Sequence, residues 1–105
     1  MELTDLPALT AKAKEVLAGD VVDFNHRVKF DFGDVGKLFI DGENGIASNE
    51  DEEADATLTM KWDNFKKLAE GKLDPAMAFF SGRLKVSGDM FVFEQLKKLL
   101  HQFGR

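Results

Sequence analysis

The chain has 105 residues, of which 44% are apolar and 31% charged, with a formal net charge of −5 and no cysteine. That length holds one domain, residues 1–105, and that apolar share supplies a core, which excludes a wholly disordered chain. Lack of cysteine removes disulfide scaffolds, thiolate zinc sites and cysteine nucleophiles, and lack of clustered basic charge removes a sequence-independent grip on nucleic acid.

The acidity is local. Glu50, Asp51, Glu52, Glu53 and Asp55 account for the whole net charge, and the rest of the chain is balanced. The aromatics are ten Phe, one Trp and no Tyr. Phe supplies area with no hydroxyl that needs a partner, which suits a water-excluding interior. No window is apolar for the roughly 18 residues of a spanning helix. Met1-Glu2-Leu3-Thr4-Asp5 lacks the basic start of a secretory signal.

Residues 5–18 read as a helix with Asp5 as cap, Pro7 in its first turn and Gly19 as stop; Leu6, Leu9, Ala13, Val16 and Leu17 share a face. Over 21–32 the apolar positions alternate from Val22 onward. Val22, Phe24, Val28, Phe30 and Phe32, with His26, take the even places, and Asp23, Asn25, Arg27, Lys29 and Asp31 the odd ones. Period two predicts a long strand with one dry and one wet face. A second strand follows at 35–41, Leu38 and Ile40 inward and Phe39 outward, then a turn at Asn44-Gly45 and a short strand at 46–48. The acidic run 50–55 has no Gly and nearly continuous charge, so it reads as a solvated connector and not a calcium loop.

A fourth strand is predicted at 56–62, with Ala56, Leu58, Met60 and Trp62 on one side. Asp63 then caps a helix that buries Phe65, Leu68 and Ala69 and ends at Gly71. Asp74-Pro75 opens another helix, which holds Met77, Phe79 and Phe80 and stops near Ser81-Gly82. A fifth strand at 83–87 turns Leu84 and Val86 inward, and Asp89 caps a last helix from Met90 to about Phe103. The order predicts an α/β fold of the α+β type: a five-stranded, mostly antiparallel sheet with helices covering one face.

The stretch Asp74-Pro75-Ala76-Met77-Ala78-Phe79-Phe80-Ser81-Gly82-Arg83-Leu84-Lys85-Val86-Ser87-Gly88-Asp89-Met90 resembles the sterol carrier protein type 2 domain family, as do Ala56 to Met60 and Gly71 to Pro75 upstream. The resemblance implies a hydrophobic tunnel between sheet and helices that takes fatty acids, acyl-CoA, sterol-like lipids or isoprenoids, with no catalytic machinery and no cofactor. Many members carry small residues after the motif Met; here Phe91, Val92 and Phe93 either line that space or fill it. The peroxisomal address of many eukaryotic members is absent, which points to a free-standing bacterial, cytoplasmic form.

The residues expected to line the site are Phe24, Phe30 and Met60 from the sheet, and Met77, Phe80, Met90, Phe93, Leu96 and Leu100 from the helices. Ordinary core packing is the competing reading of the same side chains. His26 reads as a hydrogen-bonded core histidine or a head-group contact, and His101 as a residue favoured at a negative helix end. Two such histidines make no metal site. Lys66, Lys67, Lys72, Arg83 and Lys85 read as a solvated basic face or one that steers an acyl-CoA phosphate or makes transient membrane contact. The alternative function is an accessory module that presents an apolar groove to a lipid- or quinone-metabolising enzyme.

Overall fold

The computed structural model describes residues 5–19 and 25–95. In chain order they form α1 (Leu6–Ala18), β1 (Arg27–Asp31), a 3-10 turn (Gly33–Val35), β2 (Lys37–Asp41), β3 (Ile46–Ser48), β4 (Ala56–Met60), α2 (Trp62–Ala69), α3 (Pro75–Phe80) and β5 (Leu84–Gly88). A further helix, α4, starts at Met90 and is described over 90–95. The strands make one five-stranded sheet in the order β3-β2-β1-β4-β5. β1 pairs with β4 in parallel, and the other three pairings are antiparallel.

Register sorts the side chains. Val28 faces Ile40 and Ala56, and Phe30 faces Leu38 and Leu58, so these residues share the inner face. All are buried in one cluster with Leu9, Ala13 and Val16 of α1 and Phe65 and Leu68 of α2. The helices therefore cover the inner face. Asp5 caps α1 as its spacing predicts, its carboxylate accepting from the Ala8 N–H. Asn49 ties α1 to the sheet by donating to the Thr10 hydroxyl at 2.9 Å and to the Lys37 carbonyl at 2.8 Å.

The centre of the core is aromatic. Phe65 stands edge-on to Phe30 and Phe32, with centroids 5.4 and 5.2 Å away, and Trp62 is edge-on to Phe32 at 5.1 Å. These separations are those of favourable quadrupolar contacts.

Some details differ from the sequence reading. Strand pairing in β1 starts at Arg27; Asn25 and His26 lie before it, and 21–24 are outside the described residues. Trp62 is the first residue of α2 and not the last of a strand, with Lys61 as its cap position and Asp63 in its first turn. There the carboxylate of Asp63 meets the positive helix end without capping it. Phe39 lies on the outer face as alternation requires, yet it is only 7% exposed.

The acidic segment lies alongside Phe39. Its backbone is tied to β1, with the Asp55 N–H donating to the Arg27 carbonyl and the Asp55 carboxylate accepting from the Arg27 N–H. Lys29 reaches it from the outer face, 2.7 Å from Asp51 Oδ1 and 3.2 Å from the Glu52 carbonyl. Phe39 shares a recess with Ile46, Glu52 and Glu53. The connector is solvated as predicted, with Glu50, Asp51, Glu52, Glu53 and Asp55 exposed, and it also flanks one end of the outer sheet face.

Candidate functional site

The residues expected at the lipid site separate into two sets. Phe30, Met60 and Phe93 are buried. Phe30 lies mid-strand in β1 within the aromatic cluster, and Met60 ends β4 opposite Leu84 of β5. Phe93 projects from α4 onto Phe79 of α3 at a centroid distance of 6.0 Å, which joins the two helices. Phe24, Leu96 and Leu100 lie outside the described residues, as does His101.

Met77, Phe80 and Met90 face outward, at 63%, 81% and 46% exposure. Lining the site would have turned them inward. The reason for the difference at Met77 is the brevity of α3. Asp74 fixes its start by accepting from the Met77 N–H, and six residues later the chain turns back, the Arg83 N–H donating to the Ala78 carbonyl. The buried line of α3 is then Ala78 alone. Met77 and Phe80, three residues apart, share the opposite side.

The three residues after the motif Met also divide. Val92 and Phe93 are buried, while Phe91 is exposed and meets the His26 ring edge-on at 6.1 Å. The start of α4 is set by Asp89, whose carboxylate accepts from the Phe91 N–H at 2.9 Å.

A cleft of about 700 Å³ opens at the C-terminal ends of β1 and β4. Phe32 and Met60 reach it from the core, and Ser81 and Gly82 from the turn after α3. Lys61, Lys67, Arg83 and Lys85 line it, against one carboxylate, Asp63. Three of these cations belong to the basic group singled out in the sequence. Lys72 does not join them, since it pairs with Glu70 at 3.2 Å. Lys61 was missed; its signal was its place between the last strand residue and the first helical one.

Among the described residues no group of three or more His, Cys, Asp or Glu could hold a metal ion, and no helix is long and apolar enough to cross a membrane.

Residues 3–101 match the SCP-2 sterol transfer family. The chain belongs to that family. It is 36% identical over 98 residues to hydroxysteroid dehydrogenase-like protein 2 of Bos taurus, covering 87% of this chain and 23% of the relative. It is 41% identical over 64 residues to sterol carrier protein 2 of Gallus gallus, covering 61% of this chain and 12% of the relative. The chain thus spans less than a quarter of the length of these curated relatives. In fold it is similar to the sterol carrier protein-2 of Aedes aegypti solved with palmitate (TM-score 0.71, 24% identity, 90% of this chain and 92% of that one). The apo sterol carrier protein 2 of Yarrowia lipolytica is also similar, with a TM-score of 0.68 and 22% identity over 94% of this chain and 81% of that one. Membership accounts for the mixed sheet and the α3–β5–α4 succession that the motif at 74–90 pointed to.

Proposed function

We propose that this SCP-2 domain is a non-catalytic lipid carrier, one whose ligand chain lies between the inner sheet face and the helices. The observation that carries the reading is the distribution of large apolar residues on α3 and α4: Phe93 goes inward onto Phe79, while Met77, Phe80, Met90 and Phe91 stay exposed. A soluble domain this small gains nothing from four such side chains in water unless something apolar covers them. Phe30, Met60 and Phe93 form the floor of the site, Met77, Phe80 and Met90 its rim, and Phe24, Leu96 and Leu100 complete it. A palmitate-bound relative of the same fold supports a fatty acid, acyl-CoA, sterol-like or isoprenoid ligand class.

The energetics suit a carrier. Burying methylenes contributes about 0.8 kcal/mol each, so a chain of about sixteen carbons gains roughly 13 kcal/mol gross. Association costs at least about 4 kcal/mol, which leaves at most about 9 kcal/mol and roughly micromolar affinity or somewhat tighter. No directional contact is required, and the flexible thioethers of Met60, Met77 and Met90 adapt to differing shapes. Such a carrier works in the cytoplasm and exchanges cargo by transient membrane contact.

Native mass spectrometry of the purified chain, followed by lipid extraction, tests the reading. Co-purified lipid or saturable uptake of a fluorescent fatty acid displaced by palmitate is expected. A ligand-free chain that takes up none overturns it. The exposed Met77, Phe80, Met90 and Phe91 also suit a second reading, an accessory module that presents an apolar groove to a lipid- or quinone-metabolising enzyme. Enhanced turnover of a lipid-metabolising enzyme by the added domain, without lipid bound to the domain itself, would select that one.

A further inference from the structure

We propose that the basic cleft at the C-terminal ends of β1 and β4 is the face by which this protein docks on an anionic bilayer. The inference rests on the carrier reading and names the surface through which cargo is exchanged. Lys61, Lys67, Arg83 and Lys85 stand around the cleft with Asp63 as the one carboxylate among its lining residues. Among the described residues none of these four cations forms an ion pair. Arg27, Lys29, Lys37 and Lys72 each do, with Asp41, Asp51, Asp31 and Glu70. Four unpaired cations thus share one cleft.

The apolar rim supplies the second half of the surface. Phe80, at 81% exposure, directly precedes the Ser81-Gly82 turn that lines the cleft, and Met77 lies one turn back on the same side of α3. A soluble phosphate would use the cations and leave these side chains in water. A bilayer uses both, phosphates meeting the lysines and arginine while the aromatic ring enters the interface.

The acidic segment sets the orientation. It enters β4 at Ala56, and the cleft lies beyond Met60 at the other end of the same strand, about 13 Å away along a strand rising about 3.3 Å per residue. That separation exceeds the Debye length of about 8 Å at physiological salt. An anionic surface therefore attracts one end of β4 and repels the other.

Flotation of the full chain with phosphatidylcholine vesicles, with and without phosphatidylglycerol, tests the proposal. Binding is expected only where phosphatidylglycerol is present and is lost in high salt. The double variant Arg83→Gln, Lys85→Gln should partition roughly 25-fold less, at about fivefold per cation near a charged surface. Phe80→Ser should weaken partitioning while leaving its salt dependence in place. The double variant should keep the circular dichroism spectrum and the uptake of a fluorescent fatty acid offered in solution. Wild-type chain that ignores phosphatidylglycerol, or a double variant that binds as well, overturns the proposal. Calorimetric binding of inorganic phosphate, lost in the double variant and unaccompanied by vesicle binding, also overturns it, in favour of a small-anion site. Wild-type chain that floats yet takes up no fatty acid from solution sinks the carrier reading and leaves the docking face standing.

Discussion

Lys29 Nζ lies 2.7 Å from Asp51 Oδ1, across the outer face of the sheet and 22 residues away in sequence. Lys29 is the largely buried partner and Asp51 the exposed one. The Lys29 ammonium, first by its hydrogen bond and then by its charge, holds the Asp51 carboxyl below the usual carboxylate range. The contact holds a run of like charges against the outer sheet face beside Phe39.

Asp51→Asn should release that segment without unfolding the sheet. Amide hydrogen exchange over 50–54 should accelerate, and the gap between variant and wild type should shrink in high salt, since the attraction removed is screened. Unchanged exchange would mean that the two hydrogen bonds between Asp55 and Arg27 suffice to hold the segment.

Asp41 closes the turn between β2 and β3. Its Oδ1 accepts from the Glu43 and Asn44 N–H groups, both at 3.1 Å, and Oδ2 accepts from Asn44 Nδ2 at 2.8 Å with Arg27 Nε 3.4 Å away. The Asn44 amide, more than the Arg27 charge, keeps this carboxyl below its ordinary value. A lowered folded-state value means the unfolded chain binds the proton more readily. The stabilisation is thus complete above about pH 4, the unfolded value, and is lost as pH falls through the lower folded one. Asp41→Ala should cost about 1–3 kcal/mol at neutral pH in urea unfolding, and wild type and variant should converge in acid.

Phe65 carries the aromatic cluster, touching Phe30, Phe32 and Trp62. Phe65→Ala should cost about 3–5 kcal/mol, a large part of the stability of a domain this size. Trp62 is the one tryptophan in the chain, so its emission reads the loss directly. A red shift at a lower denaturant concentration than wild type is expected, and an unchanged midpoint would show that the site collapses without a cavity.

The alternation at 26–32 made the inner face legible, because a strand with one dry side has only one register that buries Val28, Phe30 and Phe32 together. The caps at Asp5, Asp74 and Asp89 were legible because a short side-chain acceptor before a helix has a local physical role. Phe39 was not. Local pattern places it on the wet face, and the contacts that bring the acidic segment alongside it, Lys29 with Asp51 and Arg27 with Asp55, are long-range. Met77 shows the limit of helical spacing. In a six-residue helix several faces fit the pattern, and the return of Arg83 to Ala78 decides which one is inside. Of the expected lipid site, the inward side of Phe93 was readable and the sides of Met77, Phe80 and Met90 were not.

Gly88 and Gly82 separate two reasons for glycine within the motif at 74–90. Both have positive φ, +96° and +79°. Around Gly82 there is open space, so Gly82→Ala meets only the backbone penalty, about 1–2 kcal/mol. Gly88 sits at the end of β5 opposite Ala56, and a Cβ there would run into the Asp55 carbonyl oxygen. That oxygen accepts from the Asp89 N–H at 2.9 Å, and Asp89 in turn starts α4. Gly88→Ala must therefore push β5 from β4 and disturb the start of the helix that carries Phe93. Its cost should exceed that of Gly82→Ala by about 1–3 kcal/mol in thermal unfolding. Fatty-acid uptake should fall with it, while Gly82→Ala leaves uptake near wild type; equal costs at the two positions would show that the β4–β5 edge yields freely.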